Sequence, residues 1–313
     1  MSGRAKDWRA AVMGAGGEVR LDESMARHTT WRVGGAVDLF YAPASCAALA
    51  DFLARLDPAV PVLWSGLGSN LLVRDGGLRG VVVSLHKGLT KVARDGADGV
   101  CAEAGAPCNR VARRAAAFGL RGAEFLCGIP GTVGGALAMN AGAFGGETWN
   151  LVSAVRTMDR GGGIRRRDAA EFEAGYRELR GPAGPAGPAA DGGEWFIGAR
   201  LRLRRGDGGE STAQMAEILA RRNATQPAQS ARAGSVFRNP AGDFAARLID
   251  SAGLKGRAVG GAAVSSRHAN FIVNTGAATA ADVESLMNQV RAAVFAAHGV
   301  QLAPEVRIVG EAR

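Results

Sequence analysis

Two glycine-rich stretches carry residues whose types and spacing could hold a ligand: SGLGSNLLVRDGGLRG at 65–80 and GIPGTVGGALAMNAGAFGGE at 128–147. In the first, Gly66 and Gly68 let the backbone turn tightly, and Ser69 and Asn70 add polar groups. Successive N–H groups in such a turn can converge as a nest that binds phosphate. The same glycines also fit a turn that binds nothing. The stretch is not the dinucleotide fingerprint, because Leu71 stands where its third glycine belongs, and no Gly-Lys-Ser/Thr follows as in a Walker loop. In the second, Gly128, Gly131, Gly134, Gly135 and Gly142 lack Cβ atoms, so a ligand could lie directly on the main chain. Pro130 stiffens the turn, Ile129, Val133 and Leu137 can flank an apolar ring, and Asn140 can bond a polar edge. A flat ligand with an anionic tail would use both stretches.

Short strands and helices must position them. VPVLW (60–64), GVVVSL (80–85), VSAVRTM (152–158) and EWFIGARLRL (194–203) read as strands. SCAALADFLARL (45–56) puts Leu49, Phe52, Leu53 and Leu56 on one helical face. PCNRVARRAAAFG (107–119) reads as a helix with Pro107 at its first position and a glycine after its end. The pattern Ser211-x-x-Gln214 predicts a capping box opening another helix. Thr279 predicts the N-cap of a helix striped with Val283, Leu286, Met287, Val290 and Val294 and stopped by Gly299. EVRIVG (305–310) reads as a last strand. This is an α+β or α/β mixture, with a boundary near 204–211. GPAGPAGPA (181–189) is too short for a triple helix and reads as an exposed, partly polyproline-II loop without catalytic meaning.

Composition narrows the class. The chain has 313 residues, 47% of them hydrophobic, and a formal charge of +9. That length allows two domains, and the charge favours anionic partners such as phosphate-bearing small ligands. Nucleic acid fits less well, because only two tyrosines are present and no Lys/Arg run is interleaved with aromatics. Cys46, Cys101, Cys108 and Cys127 include no CxxC pair and no histidine placed to complete a zinc site, so no metal is expected. They read as free buried thiols of a reducing cytoplasm. No stretch approaches the ~20 apolar residues of a membrane span, and the start shows no signal-peptide pattern.

In order, GLGSNLLVRDGGLRGVVV, AGAPCNRVARRAAAFGLRGAEFLCGIPGTVGGALAMNAGAFGGE, AGSVFRNP, SSRHANFIVNTGAATAADVESL and LAPEVRIVG resemble the UDP-N-acetylenolpyruvoylglucosamine reductase (UDP-N-acetylmuramate dehydrogenase) family, from about Thr30 to Gly310. The resemblance implies an α+β fold: an FAD-binding domain of the vanillyl-alcohol-oxidase type over 1–205, in two subdomains split near 85–90, and a substrate-binding domain over 206–313. It implies FAD, NADPH as reductant, the substrate UDP-N-acetylglucosamine enolpyruvate, and a cytoplasmic step of peptidoglycan precursor synthesis. The glycines would then let backbone approach the flavin ring.

Oxidases of the wider flavin family often carry a histidine, covalently joined to flavin, after Arg-x-Gly-Gly. Here Ala36 follows Arg32-Val33-Gly34-Gly35, so FAD is expected to bind noncovalently. Ala36 and AGSVFRNP also weigh against an FAD-dependent alcohol or sugar oxidase of the same fold, the rival reading. A noncatalytic basic binding protein is a second rival.

Three residues match the family's catalytic positions. Arg177 in GYREL would grip the substrate carboxylate. Ser235 in AGSVFRNP would donate the proton, and Glu305 in LAPEVRIVG would, when protonated, hydrogen-bond the developing enediolate. Leu179 stands where the family tends to have a serine two residues past the arginine. Arg238 and Asn239 are expected at the UDP diphosphate, and His268 and Asn270 in the same pocket or as caps of their own loop. The only tyrosines are Tyr41 and Tyr176, so the chain resembles the shorter form, without a Tyr-bearing substrate loop.

Overall fold

The computed structural model describes residues 4–182, 193–227 and 230–313, so most of GPAGPAGPA lies outside the described residues. The chain divides into two compact units. The first holds Met1–Asp22, Asp38–Gly66 and Gly80–Leu219, and the second Glu23–Val37, Leu67–Arg79 and Ala220–Arg313. A single cut near 205 would leave two segments of the N-terminal half, 23–37 and 67–79, outside the unit to which they belong.

In the first unit, α1 (Arg4–Val12) precedes a sheet in the order Gly17–Ser24, Ala36–Pro43, Leu78–Ser84, Val62–Ser65. Its last two strands are parallel, with Val62 opposite Val81. Helix α2 (Cys46–Arg55) is capped by the Ser45 hydroxyl, which accepts from the Ala48 N–H at 3.1 Å. Its Leu49, Phe52 and Leu53 bury with Tyr41, Val81 and Val83, and Tyr41 stacks on Phe52 at 3.9 Å.

A second sheet, antiparallel throughout, runs Ile164–Asp168, Val152–Met158, Trp195–Arg202, Gly99–Glu103, Val92–Asp95. In the chain, Ser84 ends the first sheet and Val92 opens the second. Helices α3 (Cys108–Ala117), α4 (Val133–Ala138) and α5 (Gly208–Thr225) follow in the chain. Val111, Ala112 and Ala115 of α3, Val133 and Leu137 of α4, and Met215 and Ile218 of α5 join its core.

Three local expectations give way. Pro107 is the N-cap of α3, not its first residue, while Gly119 takes the left-handed conformation just past the cap Phe118 (φ 68°). Helix α5 begins at Gly208, before Ser211, with the Asp207 carboxylate accepting from the Gly209 N–H at 2.7 Å. The Ser211 hydroxyl is buried and donates to Glu124 at 2.6 Å, a tertiary contact rather than a cap. The cysteines are free, but only Cys108 and Cys127 are buried: Cys46 is half-buried and Cys101 exposed.

Glu194 sits 3% exposed at the foot of the second sheet. Its carboxylate accepts from Thr157 at 2.6 Å, Arg165 at 2.5 Å and Arg167 at 2.6 Å. The Arg167 hydrogen bond does most to hold its pKa at about 2, with Thr157 and Arg165 adding to it and burial opposing. A carboxylate depressed in the folded state stabilises fully above its ordinary value near 4.5 and loses that contribution as pH falls toward 2. Thermal unfolding followed from pH 5 to pH 2 is therefore expected to lose on the order of 2–3 kcal/mol through this group. Glu194→Gln should be less stable at neutral pH and show a flatter acid limb. An acid limb as steep as the parent's would show that Glu194 does not carry it.

The second unit sets α6 (Ala245–Ser251) and α7 (Ala280–His298) beside a small antiparallel sheet, Ala231–Arg232, Ile272–Asn274, Ala262–Val264, Ala258–Val259. Arg307–Val309 pairs in parallel with Leu71–Val73. Trp31, Leu72, Val236, Phe237, Leu286 and Val290 share its core. Thr279 caps α7 in a reciprocal box with Asp282, and Gly299 closes it at φ 67°. No helix among the described residues is long and apolar enough to cross a membrane.

Candidate functional site

Gly66 of the first glycine-rich stretch and Thr132 of the second meet inside the first unit. A Cβ on Gly66 would collide with the Thr132 hydroxyl, which is the N-cap of α4. Gly68, in the second unit, is left-handed at φ 65°, and a Cβ there would collide with the His28 carbonyl. Ser69 and Asn70 follow it and turn into the strand 71–73.

Around 128–142 the glycines differ in purpose. A Cβ on Gly128 would meet the Phe144 ring at 2.7 Å, and one on Gly142 the Gly146 carbonyl at 2.7 Å. A Cβ on Gly134 would stand 3.0 Å from the Ala104 Cβ, so that glycine serves close packing within the protein rather than clearing space for a ligand. Gly135 is exposed, and a Cβ there would find only the Thr132 hydroxyl, at 3.8 Å. Ile129 is 9% exposed, Pro130 is exposed, and Gly131 donates its N–H to the Ile129 carbonyl at 2.9 Å and accepts from Cys108 at 3.0 Å. Open backbone at Gly135, next to the Gly66–Thr132 contact, is the kind of cradle that a flat cofactor ring fits.

Asn140 is not a ligand-facing amide. It is 1% exposed at φ 42°, donates to Glu147 and to the Gly175 carbonyl, both at 3.0 Å, and accepts from the Trp149 N–H at 3.1 Å. Its amide is thereby spent on bracing the hairpin that carries Arg177. That hairpin pairs Glu173–Gly175 with Glu178–Arg180, leaving Tyr176 and Arg177 as a two-residue turn. Arg177 is left-handed at φ 56°, a conformation that costs a non-glycine residue of order 1 kcal/mol or more and clusters at functional sites. Its guanidinium reaches back to the glycine stretch, donating to the Gly142 carbonyl at 3.3 Å and the Asn140 carbonyl at 3.5 Å. The local register, with Leu179 buried between the strand ends, holds the arginine at the tip.

Ser235 and Glu305 come together in the second unit. The Glu305 N–H donates to the Val236 carbonyl at 2.8 Å, and Phe237 bridges to Pro304. Asn70 holds the other side: its Nδ2 donates to the Glu305 carbonyl at 3.2 Å, and its carbonyl accepts from Arg307 at 3.0 Å. The Ser69 carbonyl accepts from the Gly234 N–H at 3.1 Å. A Cβ on Gly234 would meet nothing within 4 Å, so there is open space beside Ser235. Arg238 and Asn239 are exposed, and the Asn239 Oδ1 also accepts the Ala245 N–H at the start of α6, 3.1 Å away.

His268 caps its own loop. Its Nδ1 accepts from the Asn270 N–H at 3.3 Å, and its ring sits edge-on to Phe271 at 4.8 Å. Burial, then the positive charges of Lys255 and Arg232, pushes its pKa down. The neighbouring Ser265, Ser266 and Arg267 line a cavity of about 720 Å³ with Asn223, Pro227 and Val264. Asn270 is 4% exposed, and its side-chain amide bonds the Phe237 backbone. Arg232 escaped the sequence reading: it lies over Phe271 at 4.7 Å, and desolvation, with Arg222 nearby, lowers its pKa to about 10. Its only sequence signal was proximity to AGSVFRNP.

The chain is similar to known proteins. Residues 226–309 match the family model for the C-terminal domain of UDP-N-acetylenolpyruvoylglucosamine reductase, and residues 37–167 match that of an FAD binding domain. UDP-N-acetylenolpyruvoylglucosamine reductase of Alkalilimnicola ehrlichii is 54% identical over 95% of this chain and 96% of its own length. This chain belongs to that family. The relative from Methylococcus capsulatus is 55% identical over 93% of both chains. The crystal structure of the UDP-N-acetylenolpyruvylglucosamine reductase from Thermus caldophilus superposes with a TM-score of 0.77 at 33% identity, covering 93% of this chain and 98% of that one. Family membership gives the α+β fold its identity as an FAD binding domain over 37–167 with a C-terminal domain over 226–309, and FAD as the cofactor.

Proposed function

We propose that this chain reduces UDP-N-acetylglucosamine enolpyruvate to UDP-N-acetylmuramate, using NADPH, in a cytoplasmic step of peptidoglycan precursor synthesis. The observation that carries this reading is the 54% identity to a reductase of that name along 95% of the chain. FAD, when bound, supplies hydride to the substrate's vinyl carbon. Gly66, Gly68, Ser69 and Asn70 would hold its diphosphate, and the backbone at Gly128–Gly131 and Gly135 would flank its ring.

The chain's own residues do the rest. As hydride adds, negative charge moves toward the substrate carboxylate, and a preorganised cation there lowers the barrier. Arg177 takes that role: its guanidinium stays charged throughout and is aimed by two backbone carbonyls. Ser235 donates the proton to the carbon beside the carboxylate. A hydroxyl is a weak acid, so its alkoxide needs neighbouring donors. Glu305, bound through its backbone to the residue after Ser235, would, when protonated, donate a hydrogen bond to the enediolate. Arg238 and Asn239 would meet the UDP diphosphate, and the cavity beside the 265–268 loop is of a size that takes a nucleotide-sized group.

Anaerobic stopped-flow absorbance tests the reading. NADPH should bleach the bound flavin, UDP-N-acetylglucosamine enolpyruvate should restore it, and mass spectrometry should find UDP-N-acetylmuramate. Bleaching by an alcohol or sugar with rapid reoxidation by oxygen would support the oxidase alternative, and a colourless purified protein would sink both. Running NADH beside NADPH settles the reductant.

A further inference from the structure

The peptide links around Ser235 are tied down on both sides. Gly234 donates to the Ser69 carbonyl and Arg238 to that of Ala303, at 3.1 and 2.9 Å. Between them, Asn270 makes three bonds. Its carbonyl accepts from the Val236 N–H at 3.0 Å, its Oδ1 accepts from the Phe237 N–H at 3.0 Å, and its Nδ2 donates to the Phe237 carbonyl at 2.8 Å. An amide side chain that meets both the N–H and the C=O of one residue copies the pairing of a neighbouring strand. It fixes the backbone's rotation as well as its position.

We infer that Asn270 is a positioning residue that acts through the Val236–Phe237 backbone to aim the Ser235 hydroxyl, and does not touch substrate. The inference rests on the proposed role of Ser235. Asn270 is 4% exposed, and its side-chain donor and acceptor are both engaged with Phe237, so little of it is left for a ligand. The clamp is anchored at each end. Val236 and Phe237 are each 1% exposed in the second unit's core. The Asn270 N–H is held by the His268 Nδ1, and the Phe271 N–H bonds the His268 carbonyl at 3.1 Å. That use of the ring needs Nδ1 unprotonated, in keeping with the burial that lowers the His268 pKa. Ser235, between the pinned Gly234 and Val236, is half-buried beside open space.

Such bracing matters most for a poor acid. A serine hydroxyl transfers a proton only from a well-held geometry, and a misplacement of about 1 Å can cost ~10²-fold in rate. Other steps do not depend on that hydroxyl, so loosening it should be felt in one half-reaction only.

The test is a double-mutant cycle on the flavin-loaded protein, with Asn270→Ala, Ser235→Ala and the double variant. Single-turnover flavin reduction by NADPH and reoxidation by the enolpyruvyl substrate are timed separately. Asn270→Ala should slow reoxidation by ~10- to 10²-fold, leave reduction by NADPH within a few-fold, and leave substrate affinity for the reduced enzyme unchanged. Added to Ser235→Ala, it should slow reoxidation by less than ~2-fold more, because the group it aims is gone. Asn270→Asp, which keeps the size and the Phe237 N–H acceptor, should split the half-reactions in the same direction, and it replaces the alanine variant should that fail to fold. Full additivity in the double variant, or weakened substrate binding with an intact rate, would overturn the positioning role while leaving Ser235 as donor. If Ser235→Ala itself leaves reoxidation intact, the donor assignment fails and this inference goes with it.

Discussion

Ser235→Ala is expected to slow flavin reoxidation by the enolpyruvyl substrate by at least ~10²-fold, the lower range for losing a positioned acid. The same variant should be reduced by NADPH within a few-fold of the parent rate, because that step requires no proton from the serine. Substrate affinity should change little, since the hydroxyl acts in the transition state. The backbone around the residue does not depend on its side chain: Gly234, Val236, Phe237 and Arg238 are each bonded through main-chain groups. Removing one hydroxyl should therefore leave the fold and flavin content as they were. Ser235→Cys should recover part of the rate, because a thiol can also give up a proton. Single-turnover traces on pre-reduced enzyme decide the matter. If both half-reactions slow together, Ser235 supports the flavin or the fold, and the proton comes from elsewhere.

How much of this was legible in the sequence depended on the range of the interaction involved. Local signals read well. Thr279 and Gly299 bound α7 as expected, because a cap and a left-handed stop are decided within one turn of helix. The strand 152–158 has the limits its apolar run suggested. Ser211 misled because its hydroxyl answers to Glu124, far away in sequence, and not to its own helix. The two units were illegible for the same reason. Trp31 belongs with residues hundreds of positions later, its indole donating to the Ile272 carbonyl at 2.7 Å. The strand 71–73 finds its partner at 307–309. No composition shift marks either link.

The candidate site was partly legible in the same sense. Glycine spacing and the family resemblance singled out segments, not the contacts made within them. What each residue does there depends on neighbours that spacing cannot name. Asn140 and Asn270 look alike as polar residues near glycines or serines, yet both turn out to be buried struts. Asn70, chosen for a phosphate nest, also holds the Glu305 carbonyl. Arg177 could be placed only once its hairpin was known, since a left-handed arginine at a turn tip has no distinctive local sequence.

Gly134 and Gly135 give the second large effect, and they should part company. They are adjacent on α4, and sequence alone treats them as equals. A side chain on Gly134 points at Ala104, with Cβ contacts of 3.0 Å to its Cβ and 3.2 Å to its carbonyl oxygen. The carbonyl cannot retreat easily, because it accepts the Gly134 N–H at 2.8 Å. Gly134→Val should thus destabilise the first unit by overpacking, at a cost of about 1–3 kcal/mol. Flavin loss in that variant would follow from a damaged fold. Gly135 is exposed in helical backbone, and a Cβ placed on it would have only the Thr132 hydroxyl nearby, at 3.8 Å. Valine there has a better helix propensity than glycine, so the unfolding temperature of the flavin-free protein should hold or rise. If the ring lies on this backbone, the branched side chain fills its place, and Gly135→Val should be folded but colourless, with flavin content reduced by at least ~10-fold. Absorbance of the purified protein and thermal unfolding of the flavin-free form separate the two cases. A Gly135→Val protein that keeps its full flavin would mean that the ring does not rest on α4, and a Gly134→Val protein of unchanged stability would mean that Ala104 yields.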